Sequence, residues 1–268
     1  MVHCKVEDLY KTKYAVLWSV LSFKAGLLNA SGFLAAGQYV SHVTGFGTQI
    51  GLAIGHDDFV LAPILFLVPI AFILGASLPA WILDMQYDKN KIPMYPLVQG
   101  LITLLLGIIA WMAATGHFGN VSDEIHDMRD LELIALLCLT CGLKNGLTTW
   151  ATHGKIRTTH LTGLSTDIGL HLPKFLGMGK NSRYPEKKAV NVVRIITLFS
   201  FFFGSCISAI IFPQLHYYTF IAAFIMSVGL LSISIINYVH HTQKITHVIL
   251  TNGGINENTV EINATRTN

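Results

Sequence analysis

The sequence predicts an all-α polytopic membrane protein, with six transmembrane helices plus two short re-entrant half-helices in an inverted 3+3 repeat. Three observations predict it. Apolar runs of bilayer length recur along the chain, one polar motif occurs twice with the same neighbours in the same order, and the cations of the short loops partition to one face. Hydrophobic residues make up 52% of the chain and charged residues 12%. The latter is well under the roughly 25% of a soluble domain.

The first apolar run, Tyr14–Ala36, follows Lys5, Lys11 and Lys13. It exceeds the length of a signal peptide and carries Lys24 in its middle, so it reads as a retained span. GLLNA, ending the run's second third, places Asn29 in it. Next comes SHVTGFGTQIG from Ser41, whose apolar part, Val43–Ile54, is too short to cross. At 1.5 Å per residue it covers about 18 Å, roughly half of the hydrocarbon thickness. Phe59–Leu83, containing FILGASLPAWI, and Met94–Thr115 are full-length runs that complete the first copy.

The second copy repeats that order. Leu131–Trp150 carries GLKNG with Asn145, THLTGLSTDIG from Thr159 contains the short segment Leu161–Leu172, Ala189–Phe212 carries FFFGSCISAII, and Tyr217–His240 is the last long run. The spacing between matched residues is 116 at Asn29 and Asn145, 118 at His42 and His160, and 129 at Gly75 and Gly204. Insertions therefore fall in connecting loops. Residues 1–250 read as a single membrane domain, with repeat A over about 14–115 and repeat B over about 131–240, and 251–268 as a polar, disordered tail.

Loop charge separates six crossings from eight. With re-entrant short segments and a cytoplasmic N-terminus, the inside receives Lys89, Lys91, Lys155, Arg157 and the cations of 174–188, with Lys244 following. The acidic loop Ser122–Asp130 and His56-Asp57-Asp58 fall outside, as the positive-inside rule requires. Eight crossings would reverse several of these. Three crossings per copy invert the second copy relative to the first, a symmetry from which many transporters are built. Both half-helix starts are then expected to meet near the membrane centre.

The shared motif is His-x-Thr-Gly-x-x-Thr-x-Ile-Gly. A helix start offers free backbone N–H groups and the positive end of the dipole, which attract anions and carbonyl-type oxygens. Thr44 with Thr48, and Thr162 with Thr166, are spaced four apart and share one face. His42 and His160 stand at the starts, and Asp167 takes the place of Gln49 in the second copy. The candidate substrate-lining set is therefore His42, Thr44, Thr48, His160, Thr162, Thr166 and Asp167, joined by Lys24, Asn29 and Asn145 within the spans. Asn29 and Asn145 are also placed to brace the broken backbone. Threonines and glycines equally serve helix packing in membranes, which is the competing reading of the motif. Lys144 and Arg194 are expected to snorkel to the inner surface, and Gly75 and Gly204 to be packing positions.

Cys138 and Cys141 form a C-x-x-C within an apolar run, without the context of a redox or metal motif, and read as small buried residues. No metal or cofactor is expected, and no nucleophile–base pair suggests an enzyme. The Asn-x-Ser/Thr triplets at Asn29, Asn120 and Asn263 read as chance occurrences. The formal charge of +3 belongs to the loops and gives no nucleic-acid surface.

The paired stretches GLLNASGFLAAGQYVSHVTGFGTQIG and GLKNGLTTWATHGKIRTTHLTGLSTDIG resemble the YoaK-like family of bacterial integral membrane proteins, a group with a domain of unknown function. The resemblance extends from Tyr14 to about His240 and is most specific in RTTHLTGLSTDIG. It implies an integral protein of the bacterial inner membrane and assigns no substrate. Both termini are expected in the cytoplasm. The leading functional expectation is a small secondary transporter of a small polar or anionic solute, with the lipid bilayer and that solute as partners. A channel of the same symmetry and a non-transporting scaffold stand beside it. Asp167, His160 and His42 are the candidates to carry a coupling proton, and the sequence leaves the oligomeric state open.

Overall fold

The computed structural model describes residues 11–59, 61–87, 92–119, 121, 128–154, 156, 158–177 and 188–251. Among these, the chain forms eight α-helices and no strand. They are α1 (Thr12–Ala36), α2 (Val43–Gly55), α3 (Leu61–Tyr87), α4 (Tyr95–Ala114), α5 (Met128–Ala151), α6 (Leu161–Phe175), α7 (Lys188–Leu215) and α8 (Thr219–Thr251). The short segments expected from the motifs are α2, of 13 residues, and α6, of 15 residues. At about 20 and 22 Å, both fall short of a hydrocarbon core of about 30 Å. The loop residues Lys89, Lys91, Lys155, Arg157, Lys180, Arg183 and Lys187, and the tail 252–268, lie outside the described residues. So do Lys5, most of the acidic loop, and Asn120 and Asn263.

Length and apolarity mark five continuous stretches able to cross a membrane, the last running from Val190 to Gln243. That last stretch is 54 residues long, about 80 Å if straight and far more than one crossing needs. A single 3-10 turn at His216–Tyr218 divides it, with His216 held at φ 45°. The sequence places its break at the same point, between the fifth and sixth long runs.

Helix packing follows the repeat. α1 lies against α7, and α3 lies against α5. Both crossings are built on glycines that the repeat matches. A Cβ on Gly26 would collide with the Phe201 carbonyl of α7, and one on Gly204 with the Phe23 carbonyl of α1. At the other crossing, a Cβ on Gly142 would meet the Phe72 carbonyl, and one on Gly75 the Leu139 carbonyl. Gly26 corresponds to Gly142, Gly75 to Gly204, Phe23 to Leu139 and Phe72 to Phe201, so the two crossings use equivalent atoms. Without a hydrophobic drive between helices in lipid, such close backbone approach supplies the packing attraction. The matched α4 and α8 pack on each other.

α5 is the central element, the most buried of the long apolar helices, whereas α3 is the least buried. Leu133, Ile134 and Leu137 of α5 join Val98, Ile102, Leu106 and Ile109 of α4 in the main apolar core. The outward faces are of another kind. Phe66, Leu67, Ile70, Ile73, Leu74 and Trp81 of α3, with Phe199, Phe203 and Ile210 of α7, stand exposed as a lipid-facing surface does.

Candidate functional site

Each motif helix is hung on the long helix that precedes it by the same device. α1 ends at Gly37, whose φ of 66° is open to glycine and whose N–H bonds the Phe33 carbonyl at 2.8 Å. The chain then turns back, and the Asn29 carboxamide oxygen accepts from Ser41 N at 3.2 Å and Ser41 Oγ at 2.9 Å. α5 ends in a turn at His153 and Gly154, with φ values of 50° and 74°. The Asn145 carboxamide oxygen then accepts from Thr159 Oγ1 at 2.7 Å. Ser41 and Thr159 are the residues that open the two motifs. The asparagines thus brace the linkers ahead of α2 and α6.

Beyond the braces, Phe46 and Leu164 are buried at matched positions, joined on α2 by Ile50 and Ala53. The exposed residues mix polar side chains with Val43, Leu52 and Ile54 on α2 and Leu170 and Leu172 on α6. His42, Thr44 and Thr48 are exposed on the first copy, and His160, Thr162 and Thr166 on the second. Thr48 Oγ1 donates to the Thr44 carbonyl at 3.3 Å, and Thr166 Oγ1 to the Thr162 carbonyl at 2.9 Å. Nothing lies within 4 Å of a Cβ built at Gly47, Gly51, Gly163 or Gly169. The exposed threonines, glycines and histidines among them set α2 and α6 apart from α3, whose large exposed residues are mostly Leu, Ile, Phe and Trp.

The structure does not bring the two motif helices together. α2 packs on α3 and α6 on α7, with no contact between α2 and α6. The expected meeting of their starts is therefore replaced by a looser arrangement. The starts hang on α1 and α5, and those two helices touch each other. The reason lies in the glycine crossings, which draw α7 against α1 and α3 against α5 and carry each motif helix with its neighbour.

Charged residues behave differently from expectation in two places. Lys144 does not snorkel. It is 2% exposed, and its Nζ donates to the Leu21 carbonyl of α1 at 2.7 Å, because α5 runs through the centre of the bundle. Arg194 does not reach for the surface either, since its Nη2 lies 3.0 Å from Asp167 Oδ2 and Nη1 bonds Asn191 Oδ1 at 3.1 Å. Asp167 is thus an ion-pair partner tying α6 to α7, half exposed, while Arg194 is mostly covered. The first copy has Gln49 and Leu65 at these positions, so the pair is unique to the second.

Lys24 is 1% exposed, and its Nζ donates to Ser227 Oγ of α8 at 3.3 Å. Ser227 is also reached by Gln99 Nε2 at 3.0 Å, and its Oγ lies 3.0 Å from Thr103 Oγ1, so α1, α4 and α8 share one buried polar node. Sequence reasoning missed Gln99, Thr103 and Ser227. The polar pair spaced four apart in an apolar run was the available signal. Cys138 and Cys141 are both buried, and the Cys138 thiol donates to the Val40 carbonyl at 3.2 Å. Among the described residues no group of metal-ligating side chains assembles.

Two apolar grooves mark the outer surface. One, of about 760 Å³, runs between α1, α7 and α8 past Phe23, Phe199 and Cys206, and another of about 450 Å³ lies between α4 and α8 beside Trp111. Neither is lined by motif residues or by the buried lysines, and their lining suits acyl chains.

The chain matches no curated protein and no solved structure. A family model described as a protein of unknown function, DUF1275, matches residues 17–235, from α1 into α8 and through both motifs. The braces, the glycine crossings and the motif helices all lie within that span, and the YoaK-like resemblance is consistent with it. The chain therefore belongs to the DUF1275 family.

Proposed function

We propose that the protein is a small secondary transporter of a small polar or anionic solute. In this reading α1, α3, α4, α5, α7 and α8 cross the membrane, while α2 and α6 enter it and return. The two copies are inverted relative to each other, and the exposed motif faces line the solute path. The observation that carries the reading is the matched pair of braces. Asn29 on Ser41 and Asn145 on Thr159 hold two short helices so that each presents a His-Thr-Thr face over open space. Polar helix ends set beside unwound linkers inside a membrane are how transporters of inverted symmetry build their sites. The Asp167–Arg194 pair, present in one copy only, is the element whose making and breaking would couple transport to protons.

Reconstituted protein would be tested for uptake of labelled acetate, nitrate, phosphate and urea with and without an imposed pH gradient. Thr162→Val is expected to raise the half-saturating concentration of the transported probe. Asp167→Asn is expected to abolish the response to the gradient while the protein stays monodisperse. Normal uptake by both variants, with unchanged dependence on the gradient, would make the motif a packing device and place the path elsewhere.

A further inference from the structure

We propose that Lys24 and Lys144, with Asn145 and Thr158, form a single binding site for a small monovalent oxyanion at the contact of α1 and α5. Both lysines are almost wholly covered, at 1% and 2% exposure. An ammonium has three N–H donors. Lys24 spends one on Ser227 Oγ, and Lys144 spends one on the Leu21 carbonyl. Among the described residues no carboxylate pairs with either. The two ammonium groups lie within electrostatic range of each other and of the Cys141 thiol. Like charges buried together without a counter-ion are unfavourable, and a negative ligand removes the conflict.

Two further donors are buried on α5 and on the linker ahead of α6. Asn145 Nδ2 and Thr158 Oγ1 have no hydrogen-bond partner, in residues 5% and 0% exposed. Asn145 adjoins Lys144 on α5. The Thr158 carbonyl accepts from Ser22 Oγ at 3.2 Å, and Ser22 follows Leu21, whose carbonyl holds Lys144. α1, α5 and the linker ahead of α6 thus each contribute buried ammonium, amide or hydroxyl donors, while the Asn145 carbonyl oxygen is already occupied by Thr159. A set rich in donors and poor in acceptors selects an anion and excludes a cation.

The repeat supplies an independent argument. Residues that build the scaffold recur in both copies, as the braces and the crossing glycines do. Of the four site residues only Asn145 recurs, as Asn29; Lys24 corresponds to Thr140, Lys144 to Leu28, and Thr158 to Val40. The fold is built twice without needing lysine at either place, so the lysines serve something the molecule does once. The site deepens the transporter reading by making the solute an anion, and it rests on that reading only in making the bound anion the cargo.

The test uses the full chain in detergent, with thermal unfolding followed across sodium nitrate and sodium acetate titrations. Ionic strength is held constant with sodium gluconate. A ligand that binds only the folded state raises the midpoint as its concentration passes the dissociation constant. Wild type is expected to be stabilised by nitrate or acetate over gluconate, and Lys144→Met and Lys24→Met to lose that increment. Thr158→Val keeps the volume and both charges, and should shift the half-effective concentration upward by about tenfold. It carries the test if the lysine variants do not fold. An equal response to all three salts in wild type would overturn the site, as would an unchanged nitrate or acetate response in Thr158→Val. Binding without uptake of the same anion would uphold the site and overturn its role as the cargo site. Uptake without binding would do the reverse.

Discussion

Replacing Gly204 by alanine puts a methyl group onto the Phe23 carbonyl oxygen of α1, well inside the 3.0 Å that real Cβ contacts respect. The obstacle is backbone, with Leu27 N beside it at 3.1 Å, so no side chain can swing aside. α1 and α7 must part by on the order of 1 Å, and overpacking of this kind costs about 1–3 kcal/mol. Gly26→Ala, Gly75→Ala and Gly142→Ala meet the same backbone obstacle at matched atoms and should fall in the same range. Gly51→Ala and Gly169→Ala provide the contrast, since nothing surrounds them. They should be neutral, or stabilising by up to about 1 kcal/mol through helix propensity. Unfolding in mild detergent, followed by intrinsic tryptophan fluorescence, reads all six variants on one scale. A silent Gly204→Ala beside a destabilised Gly51→Ala would refute the packing of α1 on α7.

Three other outcomes follow from the same geometry. Asn29→Ala and Asn145→Ala should each lower stability by about 1–3 kcal/mol, the second more, because Thr159 stays buried without its acceptor; Asn145→Asp, which keeps the oxygen, should recover part of the loss in the same unfolding assay. A double-mutant cycle on Asp167→Asn and Arg194→Gln should give a coupling of no more than about 1 kcal/mol, since the Asp167 side chain is 47% exposed, and the exchanged pair Asp167→Arg with Arg194→Asp should fold. Single cysteines at Ser122 and Asn181, in a background without native cysteines, should react with an impermeant reagent from opposite sides of the membrane, and reaction from one side would remove the six-crossing arrangement.

What the sequence made legible is what the chain repeats. The short helices, the glycine crossings and the bracing asparagines each occur twice, and two copies at a steady spacing lift a small-residue or amide signal above the noise of one. Lys144 and Arg194 were harder to read. Whether a lysine near a span end snorkels or stays inside depends on which helix is central, and α5 is central because Gly142 admits α3 against it. Arg194 meets Asp167 across two helices that the sequence joins only through an intervening loop. The Ser227 node joins Lys24, Gln99 and Thr103 from different helices, so that they share one partner is visible only once α1, α4 and α8 are side by side. The separation of α2 from α6 follows from which helices the glycines join, a pairing of α1 with α7 and α3 with α5 that no local pattern specifies.

The central claim, that the motif faces line a path for solute, can be measured without knowing the solute. Thr44, Thr48, Thr162 and Thr166 would be replaced singly by cysteine in a background without native cysteines. Each would be exposed in sealed vesicles to a charged, membrane-impermeant thiol reagent, with Leu74→Cys and Phe203→Cys on the outward apolar faces of α3 and α7 as references. The account predicts that the four motif cysteines react at least about tenfold faster than the two references, because only a water-filled path lets a thiol ionise and a charged reagent approach it. Motif cysteines as inert as those at 74 and 203 would mean that α2 and α6 face lipid or protein, and would contradict the account.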